Sequence, residues 1–239
     1  GLDFGGAKAV INLRNAKKTS ELLTEFGKVV ESLGGKYITA DDVGSESEDM
    51  QIVSKVTKHV VFRNNDPSPA TSLGVVRGMQ AALTFLKNDF IGNIHCLKDV
   101  HIAIQGLGHV GFNLAEMLHE KGAILTVTDL DKDKCNKAAK TLNAHIVSLD
   151  EIFETKCDIF APCALGGILN PTTIKKLIKS TKIICGSANN QLENEYCDQL
   201  LHDENLLYCP DYLVNAGGVI LLYKENSKVS TDFHIANFI

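Results

Sequence analysis

The sequence predicts an α/β chain in which part of one α/β domain precedes a doubly wound parallel sheet. Three observations predict it. From residue 100 onward, short apolar runs alternate with amphipathic helical stretches. A glycine-rich turn joins the first of those runs to the first of those helices. The first seventy residues carry a separate pattern that ends in a proline-containing segment. Alternation of this kind implies parallel strands, because parallel neighbours need crossover helices, and the helices then cover both faces of the sheet. At 239 residues the chain is long enough for one large domain or two small ones.

In chain order, 8–13 and 36–43 read as strands. Between them Leu22, Leu23, Phe26, Val29, Val30 and Leu33 form a helical stripe, with Thr19 or Ser20 as its cap and Glu21 in its first turn. The segment 64–69 (NNDPSP) reads as a loop because two prolines interrupt helix and strand alike. One helix is expected over 71–87, and the domain boundary is set at residue 70, giving domains 1–70 and 71–239. Further strands are expected at 100–105, 124–128, 144–147, 158–161 and 182–185. Further helices are expected at 109–121, 132–142, 172–179 and 193–203. In 109–121, Val110, Leu114, Ala115 and Leu118 recur at helical spacing.

Composition narrows the function classes. With 44% hydrophobic and 22% charged residues the chain is globular, not disordered. A net charge of -5 with no basic tract argues against a nucleic-acid partner. The 7 cysteines form no Cys-x-x-Cys pair and have no histidines at zinc-ligand spacing, so no metal site is expected. An odd, scattered set suits free thiols in a reducing compartment, where they pack as small apolar side chains. No signal peptide and no run long enough to span a bilayer is visible, so no membrane partner is expected and the cytoplasm is the default.

The segment 106–111 (GLGHVG) is a G-x-G-x-x-G between a predicted strand and a predicted helix. Gly106 permits the tight turn, Gly108 lets the backbone approach a pyrophosphate, and Gly111 lets helix and strand pack closely. The helix N-terminus then offers unpaired N–H groups and a positive dipole to the phosphates. His109 and Val110 fill the loop between the glycines, with the His109 side chain expected to face solvent. The next strand runs into Asp129, 23 residues after Gly106, where an acid meets the adenosine ribose hydroxyls. Leu130 follows it at the same site. That carboxylate repels a 2′-phosphate, so the expected cofactor is NAD rather than NADP. Lys132 and Lys134 read as solvated charges on the following helix.

Six segments carry a resemblance that covers nearly the whole chain: GGAKAVI (5–11), YITADDVG (37–44), DPSPATSLGVVRGM (66–79), CDIFAPCALGGILN (157–170), GSANNQL (186–192) and PDYLVNAGGVI (210–220). In these segments and in their order the chain resembles the Glu/Leu/Phe/Val dehydrogenase family, especially its leucine dehydrogenases. The resemblance implies a Rossmann-type cofactor domain, part of a substrate domain, and reversible NAD-dependent oxidative deamination of an L-amino acid to a 2-oxo acid and ammonia. It places the catalytic lysine of the GGxK segment at Lys8. That task suits a lysine kept neutral by its neighbours and by partial burial, so that the free amine activates water. On its residues alone, without the resemblance, Lys8 reads as an exposed surface lysine beside a glycine turn.

The catalytic aspartate falls on Asp42, which would position the substrate amine and shuttle protons, with Asp41 on the opposite face if the segment is a strand. Asn189, Asn190 and Asn215 are implied to hold the nicotinamide carboxamide and ribose, and Ala164 to line the cofactor site. Read alone, such asparagines are turn formers. Thr71, with Ser72, stands where the family's cofactor domain begins, as helix cap, cofactor contact or both. Ala40, Val219 and Leu222 correspond to an apolar side-chain pocket. Val219 and Leu222 are three apart on a predicted helix and share a face; on its own the stripe reads as core packing. Small aliphatic walls suit leucine, isoleucine or valine.

The pattern also breaks. The family's second lysine, which grips the substrate carboxylate, lies upstream of the GGxK segment, and residues 224–239 depart from the family's helical tail. The chain opens on Gly1 rather than methionine and is expected to be a fragment or processed form, homo-oligomeric at full length. Two alternatives stand beside the branched-chain enzyme: a catalytically incomplete NAD-binding remnant, and a phenylalanine or valine dehydrogenase. A 2-hydroxy-acid dehydrogenase ranks last, since no histidine is placed for that chemistry.

Overall fold

A computed structural model describes residues 5–14, 16–42, 44–61, 66–86 and 96–226. The chain packs as two compact units, one drawing on Gly1–Asp66 and Leu222–Val229, the other on Pro67–Leu221.

The first unit is built on two helices. α1 (Ser20–Ser32) is capped by Thr19, whose hydroxyl accepts the Leu22 N–H at 3.3 Å, so the cap falls on Thr19 and not Ser20. Leu23 and Val30 are buried, whereas Val29 and Leu33 are exposed, so the expected stripe is broader than the face that packs. α2 (Ser47–Val53) is not anticipated by apolar periodicity. It starts because Asp49 reaches back to accept the Glu46 N–H at 2.9 Å while pairing with Lys18. Leu23, Met50 and Val53 make the small core, flanked by Phe26, Ile52 and Val60.

The two strands expected here do not form among the described residues. Residues 8–13 have no partner strand, leaving Val10 and Ile11 exposed. From 36–43 only Thr39 pairs, bridging to Val60 through Thr39 N–H to His59 at 3.0 Å and Val61 N–H to Thr39 at 2.7 Å. A strand without a ladder leaves its polar backbone to water, and β-propensity alone does not hold it. Val43, Lys87 and residues 64–65 of the expected elements lie outside the described residues.

The second unit opens with α3 (Ser68–Leu86), which starts three residues earlier than expected and takes in Pro69. A proline in the first helical turn gives up an N–H that has no intrahelical acceptor, so it is tolerated there. Then follow β1 (His101–Gln105), α4 (His109–Glu120), β2 (Ile124–Thr128), α5 (Lys132–Leu142), β3 (His145–Ile146), a 3₁₀ turn (Glu151–Phe153), β4 (Ile159–Pro162), α6 (Pro171–Leu177), β5 (Ile183–Ile184), α7 (Glu195–Asp203), β6 (Leu207–Tyr208), α8 (Asp211–Val214) and α9 (Gly217–Asn226), whose residues from Leu222 onward count with the first unit. The six strands form one parallel sheet in the order β3-β2-β1-β4-β5-β6. This is the doubly wound, Rossmann-type arrangement, with its direction of winding reversing between β1 and β4.

Both faces are covered, as a parallel sheet requires. Ile102 and Ile104 of β1 and Ile159 and Ala161 of β4 point to one side, against Val75, Val76 and Met79 of α3 and Leu114 and Leu118 of α4. Ala103 and Phe160 point to the other, among Ile152, Ile174, Leu177 and Leu201. Helix ends are set by local chemistry. Asp131 caps α5 by accepting from Asp133 and Lys134, and Asn143 closes it in the left-handed region at φ 52°. Asn170 caps α6 ahead of Pro171.

A candidate dinucleotide site and a lysine–aspartate pair

At the switch point the sheet presents a level edge, since Gln105 at the end of β1 lies opposite both Thr128 and Pro162. The glycine loop leaves from this edge. Gly106 turns at φ 99°, and a Cβ there would lie 2.8 Å from the Ala164 backbone nitrogen, so only glycine fits between the β1 and β4 loops. At Gly111 a Cβ would stand 2.1 Å from the Gly106 carbonyl oxygen, and its absence lets α4 start directly over the loop. Gly108 differs: it is exposed, and among the described residues no side chain caps the helix it precedes and a Cβ there would meet nothing within 4 Å. The loop therefore leaves open space in front of a bare helix N-terminus. That is the cradle a pyrophosphate needs, and the residues present fit a dinucleotide.

The other expected cofactor residues group around this edge. His109 is exposed and Val110 half-buried, and the buried Ser72 hydroxyl donates to the Val110 carbonyl at 3.0 Å, fixing the first turn of α4 against α3. Asp129 Oδ2 accepts the Leu107 N–H at 2.5 Å and Oδ1 accepts the Asp131 N–H at 2.8 Å, so the acid braces the glycine loop itself. Leu130 beside it is 83% exposed. Thr71 lies inside α3 and does not cap it. Its hydroxyl donates to the Pro67 carbonyl at 3.2 Å and sits where a Cβ on Gly218 would come within 2.8 Å. Asn189 and Asn215 meet directly, Asn215 Nδ2 donating to Asn189 Oδ1 at 2.7 Å and to the Ser187 carbonyl at 3.3 Å. Asn190 occupies the left-handed region at φ 52°, and its carbonyl accepts from Gly167 at 2.8 Å. Sequence reasoning did not single out Gln191 or Asp211, whose bonds hold this loop; the signal was only their place beside the asparagines.

In the first unit, Lys8 and Asp42 form an ion pair although 34 residues separate them. Asp42 is set in a turn closed by Ser45, whose hydroxyl accepts the Asp42 N–H at 2.8 Å and donates to the Asp42 carbonyl at 2.9 Å. The two side chains are 64% and 51% exposed. Asp41 and Asp42 do not lie on a strand, and the opposite-faces argument lapses. Ala40 and Leu222 are half-buried and Val219 exposed; Val219 and Leu222 both lie on α9.

A cavity of about 420 Å³ opens beside β6, lined by Leu192, Asn194, Glu195, Asp198, Tyr208, Pro210 and Tyr212. It contains no glycine-loop residue, and its two carboxylates make it unsuited to phosphate. Among the described residues no cluster of His, Cys, Asp and Glu is placed to hold a metal ion, and no helix is long and apolar enough to cross a membrane.

Comparison with known proteins agrees with this architecture. Residues 126–237 match the model of the Glutamate/Leucine/Phenylalanine/Valine dehydrogenase family. The chain is 41% identical over 232 residues to a leucine dehydrogenase of Thermoactinomyces intermedius, covering 94% of this chain and 62% of that one. It is 44% identical over 225 residues to an L-tryptophan dehydrogenase of Nostoc punctiforme, covering 92% and 62%. A crystal structure of L-tryptophan dehydrogenase from Nostoc punctiforme superposes with a TM-score of 0.71 at 44% identity, over 87% of this chain and 59% of that one. A hetero-hexameric glutamate dehydrogenase from Thermus thermophilus shares the fold with a TM-score of 0.65 at 19% identity, over 86% and 55%. The chain spans about three fifths of the length of the curated relatives it matches. Enzymes of this family are generally NAD(P)-dependent dehydrogenases. With a glycine loop at the switch point of a doubly wound sheet and relatives matching along 94% of its length, the chain is similar to the glutamate/leucine/phenylalanine/valine dehydrogenase family.

Proposed function

We propose that this chain carries the NAD-dependent oxidative deamination of a branched-chain, leucine-like L-amino acid. The products are the 2-oxo acid, ammonia, NADH and a proton, with one water consumed. The observation that carries the reading is the pairing of Lys8 with Asp42, the two residues to which the family resemblance assigns proton chemistry. On this reading Asp42 orients the substrate amine and exchanges a proton with Lys8 Nζ along their hydrogen bond. Lys8, once neutral, takes a proton from the water that attacks the imino carbon. NAD, when bound, supplies the hydride acceptor. Gly106, Gly108, His109, Val110 and Gly111 hold its pyrophosphate against the α4 N-terminus. Asp129 and Leu130 face its adenosine ribose, where a carboxylate favours NAD over NADP. Thr71, Ala164, Asn189, Asn190 and Asn215 serve its nicotinamide end.

Ala40, Val219 and Leu222 supply apolar contacts to the substrate side chain, and their size supports leucine, isoleucine or valine. A methylene more or less in such a pocket changes discrimination by only about 1–3 kcal/mol. The 44% identity to an L-tryptophan dehydrogenase favours a second reading, an aromatic substrate. A homo-oligomer at full length and a cytoplasmic location, supported by seven free thiols, complete the proposal. The test is to mix the chain with NAD and a panel of L-amino acids and follow NADH. Highest turnover with leucine, isoleucine or valine supports the first reading, and highest turnover with tryptophan or phenylalanine the second. No turnover with any amino acid overturns both for this chain.

A further inference from the structure

The loop after β5 is held from within by one of its own side chains. Gln191 is fully buried, and its Nε2 donates to the carbonyls of Gly186 and Ala188, both at 2.9 Å. One amide thus ties two carbonyls of the same loop together. Its backbone N–H donates to Asp211 Oδ2 at 2.8 Å, while Asp211 Oδ1 accepts from Tyr212 at 2.6 Å. The Asp211 carbonyl accepts the Asn215 N–H at 2.9 Å. Asn215 in turn donates to Asn189, which projects from the loop that Gln191 clamps. The anchor beneath is unyielding: the Ala188 N–H donates to the Pro162 carbonyl at 3.0 Å, and a Cβ on Gly186 would lie 2.3 Å from the same oxygen.

Gln191 Oε1 is buried with no hydrogen-bond partner among the described residues. An unpaired buried acceptor destabilises a fold, and an apolar side chain of the same length would avoid that cost. The amide is therefore retained for its two donated bonds and for the shape they impose on residues 186–190. We infer that Gln191, with Asp211, is a positioning residue for the Asn189–Asn215 pair and so sets where the nicotinamide ring is held. This rests on the dinucleotide reading above and adds to it two residues outside the set that the family resemblance assigns to the cofactor.

The test separates the two ends of the cofactor. Gln191→Met keeps length and removes both donors; Asp211→Asn keeps shape and removes one acceptor. NADH and ADP-ribose, which lacks nicotinamide, are titrated into the native chain and each variant. In Gln191→Met the NADH dissociation constant is expected to rise about tenfold, with ADP-ribose within about twofold of the native value. Asp211→Asn is expected to show the same split more weakly, and it carries the test if Gln191→Met does not fold. Equal weakening of both ligands, or of neither, overturns the inference while leaving the dinucleotide site intact. A native chain that binds neither ligand overturns the dinucleotide reading itself, and the inference with it.

Discussion

Gly108→Ala isolates the one glycine of the loop whose missing side chain the protein itself does not require. Gly108 has φ −65° and ψ −171°, an extended conformation that alanine adopts freely, and the added methyl meets nothing within 4 Å. Two opposing effects act on stability. Alanine is a poorer helix N-cap than glycine, by roughly 0.5–1 kcal/mol. It also narrows the unfolded ensemble, which stabilises by about 0.4–1 kcal/mol. They nearly cancel, so the melting temperature should stay within about 2 °C of the native value. Cofactor binding should not survive, because the methyl occupies the space into which the pyrophosphate must come. A displacement of about 1 Å costs on the order of 100-fold, which is about 2.7 kcal/mol. Thermal denaturation and NADH fluorescence titration measure the two effects on one preparation. Native NADH affinity in a stably folded variant would refute the placement of the pyrophosphate, and a large fall in melting temperature would refute the open space at Gly108. Gly111→Ala is the contrast: its methyl meets the Gly106 carbonyl oxygen at 2.1 Å, and overpacking of that kind costs about 1–3 kcal/mol before any ligand is added.

Lys8→Ala should abolish deamination and leave NADH affinity unchanged; full turnover would remove Lys8 from the mechanism. Asp129→Ser should raise the preference for NADP relative to NAD and lower stability by about 1.5–3 kcal/mol, since the carboxylate also accepts from Leu107 and Asp131; an unchanged cofactor ratio would count against its ribose role. Asp49 is pushed up by burial, but bonds from Lys18 and the Glu46 N–H outweigh this and hold it below its ordinary value. Its contribution is therefore present above the ordinary carboxylate range and lost as pH falls through the folded value. Asp49→Asn should cost about 1–3 kcal/mol at neutral pH and flatten the acid limb of stability, and an unaltered acid limb would refute the assignment. Among the thiols, hydrogen bonding to Cys209 and burial push Cys185 up, the same bond holds Cys209 down, and burial pushes Cys157 up to about 11. Alkylation near pH 8 should label exposed Cys96 and then Cys209, with Cys185 reacting only on unfolding; prior labelling of Cys185 would contradict this order.

The second unit was legible because its signals are local. β1 and β2 are short β-rich runs, and the glycines, α4 and the acid at 129 follow within one crossover. The short strands were less so: β3 and β5 are two residues each, shorter than their apolar runs, and β6 passed unnoticed in the same way. Strand length is set by which neighbours pair, and that is tertiary information. The same reason accounts for 8–13 and 36–43, whose composition suits a strand and whose ladder is absent among the described residues. α2 was missed because its signal is a reciprocal cap at Glu46 and Asp49 followed by only two helical turns, too short for apolar periodicity to show. At the candidate site the residue types were readable and their bracing was not. Nothing in a linear reading says that the Gln191 amide spans to Gly186 and Ala188, or that Asp129 supports the loop it faces.

The two halves of the proposed chemistry differ in how finished they are within their own units. The proposed phosphate cradle is complete in backbone terms: its turn and helix start are fixed by close approaches that Gly106 and Gly111 permit, and Asp129 braces it from Leu107. Such a site needs little reorganisation when an anion arrives, which is what electrostatic preorganisation requires. The proton pair is not finished in this sense. A lysine donating to a carboxylate cannot at the same moment accept a proton from water, so Lys8 must first pass its proton to Asp42. The two side chains are 64% and 51% exposed, so water must be displaced from them before the substrate amine can take its place. On the proposed reading the arriving amino acid does this, and deamination by Lys8 and Asp42 is then gated by substrate binding rather than by any feature of the first unit alone.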